Sequence, residues 1–392
     1  MSISIGLAGK PNSGKSTFFK AATLAEVDIA NHPFTTIDAN HGVAYVRTLC
    51  ACQGLGKLCG QCKDGARYVP VDIIDVAGLV PDAHKGRGLG NAFLDNLRQA
   101  SAIIHVIDAS GGTDIEGNPV GIGQHDPLED IEFLEYEITM WMFSILKRNW
   151  DRLSRKIQAE GLKIEHVISD QLQGAGVSVV HARRGLQKTH LISENPAIWT
   201  DDQMIALSDA IRLESKPLII AANKMDIAPP KLLERLLSAD RIVVPTSAAA
   251  ELALRMAQKS GAIDYRPGDK EFKIIGELSD LQIAGLDKIK MLLDKNGGTG
   301  IQECINTTVL KLLDQIVLYP VEDEAKYTDK NGKMLPDAYL MKKGSTPHDL
   351  AYMVHTDIGE GFLYAVNAKT KMRLGEKHDV EDGDVIKIVS TK

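Results

Sequence analysis

Short apolar runs, each bounded by turn or cap residues, recur along much of the chain. Runs of this kind are typical of strands buried on both faces of a parallel sheet. The predicted strands are Ile3 to Ala8, Val69 to Val76, Ala102 to Asp108, Pro217 to Ala222 and Ile242 to Pro245. After Lys15 the spacing of apolar residues becomes helical. A strand, a loop and a helix therefore open the protein.

The interval between Asp108 and Pro217 is about a hundred residues, far more than one crossover helix requires. Within it, Asp126-Pro127-Leu128-Glu129 has the N-cap, the first-turn proline and the acidic residue of a capping box. Apolar residues then follow at mostly helical spacing. We therefore predict an inserted helical subdomain.

The C-terminal part has a different pattern of predicted secondary structure, in which short β-rich segments surround one helix start at 344–349. Strands are predicted at Phe362 to Val366 and Asp384 to Val389. The predicted fold is an α/β parallel sheet with the helical insertion and a small C-terminal β domain. The predicted boundaries are 1–125 and 215–316 for the two parts of the sheet domain, 126–214 for the insertion and 317–392 for the C-terminal domain.

Composition narrows the class of protein. The chain has 392 residues, of which 44% are hydrophobic and 25% charged, with a formal net charge of −7. These values are ordinary for a globular protein and argue against one that coats DNA or RNA through its overall charge. No signal peptide or membrane span is expected, so a cytoplasmic location without membrane or DNA partners is predicted.

A phosphate-binding loop follows the first predicted strand. Residues 9–16 (GKPNSGKS) match GxxxxGK[ST] between a strand and a helix, which is the context that the motif requires. Its backbone N–H groups can surround phosphates, Lys15 can reach the β- and γ-phosphates, and Ser16 can ligate Mg²⁺. With this loop the predicted parallel sheet is of the P-loop NTPase type, and a plain glycine-rich turn is the alternative. The predicted phosphate contacts are Asn12, Ser13, Gly14, Lys15, Ser16 and Thr17.

A second motif, Asp75-Val76-Ala77-Gly78, ends another predicted strand. An aspartate at this place can hold magnesium, and the Gly78 N–H can meet the γ-phosphate. The tetrapeptide is common by chance, and only its position at the end of a strand supports a functional interpretation.

A third motif, Asn223-Lys224-Met225-Asp226, matches the NKxD guanine-specificity signature. The Asp226 carboxylate can accept both the ring N–H and the amino group of guanine, whereas adenine offers no matching donors. Ser247 and Ala248 begin a segment similar to the loop that backs the guanine ring. GTP and GDP are therefore the predicted ligands.

Together these motifs resemble the Obg-like GTPases, in particular archaeal members of the YchF-related branch. Residues 31–36 are similar to the family's switch I, residues 75–90 to its switch II, and the C-terminal part to a TGS domain, a ubiquitin-like β-grasp module. The resemblance implies a switch I threonine as a magnesium ligand, Thr36 or else Thr35. Bacterial and eukaryotic YchF proteins have a glutamate at the place of Asp226 and are associated with ATP, which leaves an ATPase as an alternative.

Hydrolysis is expected to be slow, because Leu79 stands where Ras-like enzymes carry the glutamine that orients water. The predicted catalytic residues are Lys15, Gly78 and Asn12. Asn12 occupies the place where potassium-dependent relatives hold K⁺, although a role in shaping the loop is equally open. His84 and His125 could touch the water, but loop histidines of this kind are more often inert.

Four cysteines fall within a short segment, Cys50, Cys52, Cys59 and Cys62. They could bind one tetrahedral Zn²⁺ on an excursion spanning 48–66, or they could be free cytosolic thiols.

Two basic runs could contact RNA or could simply be solvated surfaces. They are Lys147, Arg148, Arg152, Arg155 and Lys156 on the insertion, and Lys369, Lys371, Arg373 and Lys377 near the C-terminus. The family resemblance implies a ribosomal or RNA partner. The sequence thus predicts a slow Mg²⁺-dependent GTPase switch acting on the ribosome, and the alternative is a nucleotide-gated RNA- or protein-binding adaptor with negligible turnover.

Overall fold

The computed structural model describes residues 3–24, 41–76, 97–191 and 195–391. The chain forms two compact units, each built from two separate segments. The first unit contains Met1–Ala44 and Val71–Cys304, and the second contains Tyr45–Pro70 and Ile305–Lys392.

A six-stranded sheet organises the first unit. Its strands are β1 (Ser4–Ala8), β2 (His41–Leu49), β3 (Ala66–Asp75), β4 (Ala102–Asp108), β5 (Leu218–Asn223) and β6 (Val243–Pro245). Their spatial order is β2-β3-β1-β4-β5-β6. The β3–β1, β1–β4, β4–β5 and β5–β6 pairs are all parallel. The predicted parallel sheet is therefore confirmed, whereas β2 was not predicted because polar residues interrupt its apolar pattern.

The central strands β1 and β4 are buried along their whole length. Burial on both faces explains why they are continuous apolar runs rather than alternating ones. Because parallel strands end at the same edge of a sheet, the C-terminal ends of β1, β3, β4 and β5 lie together there. This edge carries every described residue of the predicted nucleotide motifs.

One imidazole interrupts the apolar core of β4. His105 is 3% exposed, and none of the described residues forms a hydrogen bond with its Nδ1. Burial, and secondarily the positive charge of Lys10, lower the pKa of His105 to about 3. The unfolded chain therefore binds a proton on this residue below pH about 6.5, whereas the fold does not until far lower pH.

His105→Gln is expected to reduce the acid sensitivity of the first unit. As pH falls from 7 to 4.5, the wild type should lose about 2–3 kcal/mol of unfolding free energy that the variant keeps. Denaturant unfolding followed by tryptophan fluorescence measures this, since Trp141, Trp150 and Trp199 all lie in the first unit. Equal acid losses in the two proteins would show that His105 titrates alike in the folded and unfolded states.

Helices fill the interval between β4 and β5, which confirms the predicted insertion. The first unit's helices up to this point are α1 (Lys15–Thr23), α2 (Pro127–Lys147), α3 (Trp150–Glu160), α4 (Ile164–Leu172), α5 (Val179–Lys188) and α6 (Asp201–Ser215). α2 begins as predicted, with the Asp126 carboxylate accepting the Leu128 N–H at 3.2 Å. Trp150 stacks on Trp199 with ring centroids 5.2 Å apart. Across the described ranges, no helix combines the length and the apolar character that crossing a membrane requires.

The remaining elements of the first unit follow β5 along the chain. They are α7 (Pro230–Leu237), α8 (Ala248–Lys259), α9 (Asp280–Asn296) and a small pair of strands, β7 (Ile263–Asp264) and β8 (Lys273–Ile274). α10 (Ile301–Asn306) begins in the first unit and ends in the second. The buried Glu251 carboxylate accepts hydrogen bonds from Arg255 and Tyr265, both at 2.7 Å, and from Thr299 at 2.5 Å. These partners compensate the burial of a charge, and they fix the segment around Thr299.

A five-stranded sheet with one helix across it forms most of the second unit. Its elements are β9 (Gln315–Val321), β10 (Tyr339–Lys342), α11 (Pro347–Val354), α12 (Thr356–Glu360), β11 (Phe362–Asn367), β12 (Arg373–Leu374) and β13 (Val385–Ser390). The order is β10-β9-β13-β11-β12, in which only the β9–β13 pair is parallel. Leu350 of α11 packs against Leu318, Ala365 and Ile386 of the sheet. The predicted C-terminal β-grasp domain is confirmed.

Residues 45–70, the outer part of the β2–β3 hairpin, also belong to the second unit. The Arg67 guanidinium donates to the carbonyls of Leu335 and Pro336 at 3.1 and 2.9 Å. The predicted boundaries placed this excursion within 1–125, because neighbours in sequence were grouped together. Its side-chain contacts group it instead with residues that lie far away along the chain.

Candidate nucleotide site

The predicted phosphate loop connects β1 to α1. Gly14, the N-cap of α1, has φ 92°, and a Cβ there would lie 2.2 Å from Nδ2 of Asn223. A Cβ on Gly9 would lie 2.3 Å from the Val106 carbonyl oxygen. Both positions therefore require glycine, which explains the glycine spacing of the motif.

Two charged side chains of the predicted phosphate site face each other. Lys15 Nζ forms an ion pair with Asp75 Oδ1, and the side chains are only 11% and 16% exposed. A P-loop lysine and a strand-end aspartate thus meet at one edge of the sheet. An anion that reaches Lys15 has to compete with this carboxylate.

Asn223 joins the phosphate loop to the loop after β6. Its Nδ2 donates to the Ser13 carbonyl at 3.0 Å, and its Oδ1 accepts the Ala248 N–H at 3.0 Å. The buried Asn223 side chain therefore makes a structural bridge rather than pointing into open space. The Ser13 hydroxyl is buried and has no hydrogen-bond partner within the described parts of the chain.

The predicted guanine residues are assembled next to this bridge. The Ser247 hydroxyl donates to Asp226 Oδ1 at 2.8 Å, which fixes that carboxylate and leaves its other oxygen for further donors. The Met225 N–H donates to the Thr246 carbonyl at 3.1 Å, and the Ser247 N–H to that of Thr299 at 2.9 Å. Hydrogen bonds thus bring Asn223, Asp226, Ser247 and Ala248 together in one cluster.

Lys224 points to a residue that was not predicted. Its Nζ lies 2.8 Å from Oδ2 of Asp108, the last residue of β4, which also accepts from Ser110 and Thr113. Burial raises the pKa of Asp108, but the hydrogen bonds from Lys224 and Ser110 outweigh it and hold the pKa below its usual value. A polar residue ending a buried strand is the signal that could have identified Asp108.

Lys10 was also missed, because its position in the motif accepts any residue. It is 4% exposed, donates to the Thr113 carbonyl at 2.8 Å and pairs with Asp130 of α2 at 2.8 Å. His125 Nε2 lies 2.9 Å from the same carboxylate. The pair attaches the phosphate loop to the first helix of the insertion.

Asn12, a predicted phosphate and K⁺ contact, is hydrogen-bonded within the protein. Its Nδ2 donates to the Gly117 carbonyl at 3.0 Å and its φ is 60°. The Asn12 side chain is therefore hydrogen-bonded to the segment around Gly117. Ser16 is exposed and Thr17 is half-buried at the start of α1.

The other predicted site residues lie elsewhere. Thr35, Thr36, Gly78, Leu79 and His84 lie outside the described residues, as do the 31–36 segment and all of 75–90 beyond Val76. The four clustered cysteines lie in the second unit.

Three family models match the chain. Residues 4–139 match a model described as 50S ribosome-binding GTPase, residues 221–323 one described as Obg-like GTPase YGR210-like, G4 motif-containing domain, and residues 326–390 the TGS domain.

Relatives match over nearly the full length. The chain is 50% identical to an uncharacterised GTP-binding protein of Methanocaldococcus jannaschii, covering 98% of each chain. It is 29% identical to the ribosome-binding ATPase YchF of Bacillus subtilis, again covering 98% of each. The crystal structure of a GTP-binding protein from Pyrococcus horikoshii OT3 superposes with a TM-score of 0.79, at 42% identity and 100% coverage of both chains.

A parallel sheet with a phosphate loop after its first strand, together with these matches, defines a P-loop GTPase. The chain carries a TGS domain in addition. It belongs to the Obg-like, YchF-related family of GTP-binding proteins.

Proposed function

We propose that this protein binds GTP with Mg²⁺ and hydrolyses it slowly, as a switch that acts on the ribosome. The observation that carries the proposal is the Asn223 bridge between the phosphate loop and the loop that holds Ser247 and Asp226. One side chain thereby sets the spacing between a site for phosphates and a site for a base.

The phosphate half is supplied by residues 12–17. Backbone N–H groups at the start of α1 and the Lys15 ammonium attract the β- and γ-phosphates. Ser16, Asp75 and Thr36 are the proposed Mg²⁺ ligands, with Asp75 acting after Lys15 has moved from it to the phosphates. The ion pair supports this exchange, because Asp75 and Lys15 already lie side by side.

The base half favours guanine over adenine. Asp226 keeps a carboxylate oxygen available for the N1–H and 2-amino donors of guanine, and adenine has no matching pair. The Bacillus relative is called an ATPase, so ATP is the competing ligand. The aspartate at position 226 and its orientation by Ser247 support GTP.

Hydrolysis rests on fewer groups. The proposed catalytic residues are Lys15 and the Gly78 N–H, with Asn12 helping to hold K⁺ against the phosphates. Leu79 cannot orient water, so the intrinsic rate should be low and a partner or cation should raise it.

The ribosomal partner is suggested by the names of related proteins and by one basic surface. The Bacillus relative is called ribosome-binding, and one matching model is described as a ribosome-binding GTPase. Arg148, Arg152 and Arg155 are exposed at or beside α3, whereas Lys147 pairs with Asp201 at 2.5 Å and Lys156 with Glu160 at 3.8 Å. In the C-terminal run, Lys369 binds the Gly383 carbonyl and Arg373 stacks on Tyr364, so the α3 surface is the better candidate for RNA.

Single-turnover GTP hydrolysis tests the switch against the adaptor. We expect slow hydrolysis by the protein alone and an acceleration of at least about tenfold with 50S subunits in K⁺ buffer. Na⁺ should replace K⁺ poorly if Asn12 acts as proposed. GTP that stays intact in every condition would favour the adaptor.

A charge-reversal pair locates the partner surface. Arg152→Glu combined with Arg155→Glu should reduce the ribosome-stimulated rate and leave the intrinsic rate unchanged. Lys288→Glu combined with Lys290→Glu on α9 makes the same change in net charge and serves as the matched control. Equal losses in the two double variants would point to net charge rather than to α3.

A further inference from the structure

The tip of the β2–β3 hairpin brings four thiols together. The sulfurs of Cys50, Cys52, Cys59 and Cys62 all lie within 4.8 Å of one another, and none of the four forms a disulfide. The Cys50–Cys59 and Cys59–Cys62 sulfurs are 3.6 Å apart, and the Cys52–Cys62 sulfurs are 3.5 Å apart. Four sulfurs from one short segment of chain therefore surround one point.

These separations fit a metal better than they fit a crosslink. A disulfide requires about 2.0 Å between sulfurs. In a regular tetrahedron with Zn–S bonds of about 2.3 Å, each sulfur lies about 3.8 Å from the other three. The observed distances are close to that edge length, so an ion at the centre needs only small side-chain movements.

The local backbone is shaped for this arrangement. Gly60, between Cys59 and Cys62, has φ 70°, which turns the chain so that both sulfurs point inward. The Gln61 N–H lies 3.4 Å from the Cys59 sulfur, where it can stabilise a thiolate. The Cys50 N–H donates to the Gly65 carbonyl at 2.8 Å, which closes the base of the loop.

The cluster is part of the core of the second unit. Cys50, Cys52 and Cys59 are at most 6% exposed and pack in one apolar cluster with Val317, Tyr319, Leu335 and Val385 of the C-terminal domain. Residues 50–65 contain only one short 3-10 helix, at Ala51–Leu55, so hydrogen bonding within regular structure contributes little to holding this loop.

We propose that Cys50, Cys52, Cys59 and Cys62 bind one structural Zn²⁺ that fixes the hairpin tip in the core of the C-terminal domain. Zinc is the metal of choice for a closed site of four thiolates without an open coordination position, and iron is the competitor for the same sulfurs. The ion would replace the regular structure that the loop lacks. Its loss should therefore loosen the second unit and leave GTP binding by the first unit intact.

Metal analysis of the full chain, purified without chelator from zinc-supplemented cells, tests the proposal. We expect about one zinc per chain, and less than about 0.2 in the Cys59→Ser, Cys62→Ser double variant. Cys304→Ala, which changes the remaining cysteine in the first unit, should retain about one zinc and serves as the matched control. Equal zinc in wild type and double variant, or iron in place of zinc, would overturn the assignment.

A second measurement does not depend on the stability of a variant. Wild-type protein loaded with Co²⁺ should show the thiolate charge-transfer and tetrahedral d–d absorption of a four-sulfur site. Removal of the metal should accelerate hydrogen exchange at residues 50–66, while tryptophan fluorescence and GTP affinity, both properties of the first unit, stay constant. Zinc-free wild type without these cobalt bands would show that the cysteines are ordinary buried thiols.

Discussion

Lys15→Ala should weaken GTP binding by between about a hundredfold and ten thousandfold. The ammonium can donate charge-assisted hydrogen bonds to two phosphate groups, each worth about 1.5–3 kcal/mol. The substitution also leaves the Asp75 carboxylate, its present partner, uncompensated next to incoming phosphates. GDP should lose less affinity than GTP, because it lacks the γ-phosphate. Titration calorimetry with both nucleotides measures the effect.

Lys20→Ala is the matched control, because Lys20 is an exposed lysine on the same helix. It should bind GTP like the wild type. Tryptophan fluorescence should show that both variants keep the first unit folded. GTP affinity that is unchanged by Lys15→Ala would refute the phosphate site.

Asp226→Asn should change the preferred base of the bound nucleotide from guanine to xanthine. The variant loses the negative charge that accepts the N1–H and 2-amino donors of guanine, so GTP affinity should fall by about a hundredfold. Xanthine carries a carbonyl in place of the 2-amino group, and an amide can donate to it while still accepting the N1–H. XTP should therefore bind the variant better than GTP does, whereas the wild type should show the opposite order.

Competition of labelled GTP with unlabelled GTP, XTP and ATP measures these preferences. Asp294→Asn, at an exposed aspartate of α9 in the same unit, should leave the wild-type order unchanged. ATP that displaces GTP from the wild type as well as GTP itself does would end the case for guanine.

The parts of the fold that depend on local pattern were accessible from the sequence. The buried strands β1, β4 and β5 are continuous apolar runs. The C-terminal ends of β1, β3 and β5 lead to Lys15, Asp75 and Asn223 at one sheet edge. The helix start at Asp126 followed from capping chemistry alone.

The missed features depend on contacts between distant residues. Lys10 occupies a variable motif position, and only the fold brings Asp130 within 2.8 Å of it. Asn223 was assigned to the base, but its bridge to Ser13 and Ala248 needs the geometry of two loops. The cysteine loop was assigned to its sequence neighbours, because nothing local reveals that Arg67 bonds to Leu335.

The two-segment composition of the second unit has a consequence for biosynthesis. Residues 45–70 leave the ribosome long before residues 305–392, yet the two segments share one apolar core around Tyr319. A growing chain must therefore carry an unfinished hairpin, with its apolar side chains uncovered, until residues 305–392 have also been synthesised. Because the residues in contact within this core are far apart in sequence, the core should form slowly compared with the helical insertion. A chain that stops before Ile305 would display this uncovered hairpin permanently, which makes such truncations prone to aggregate.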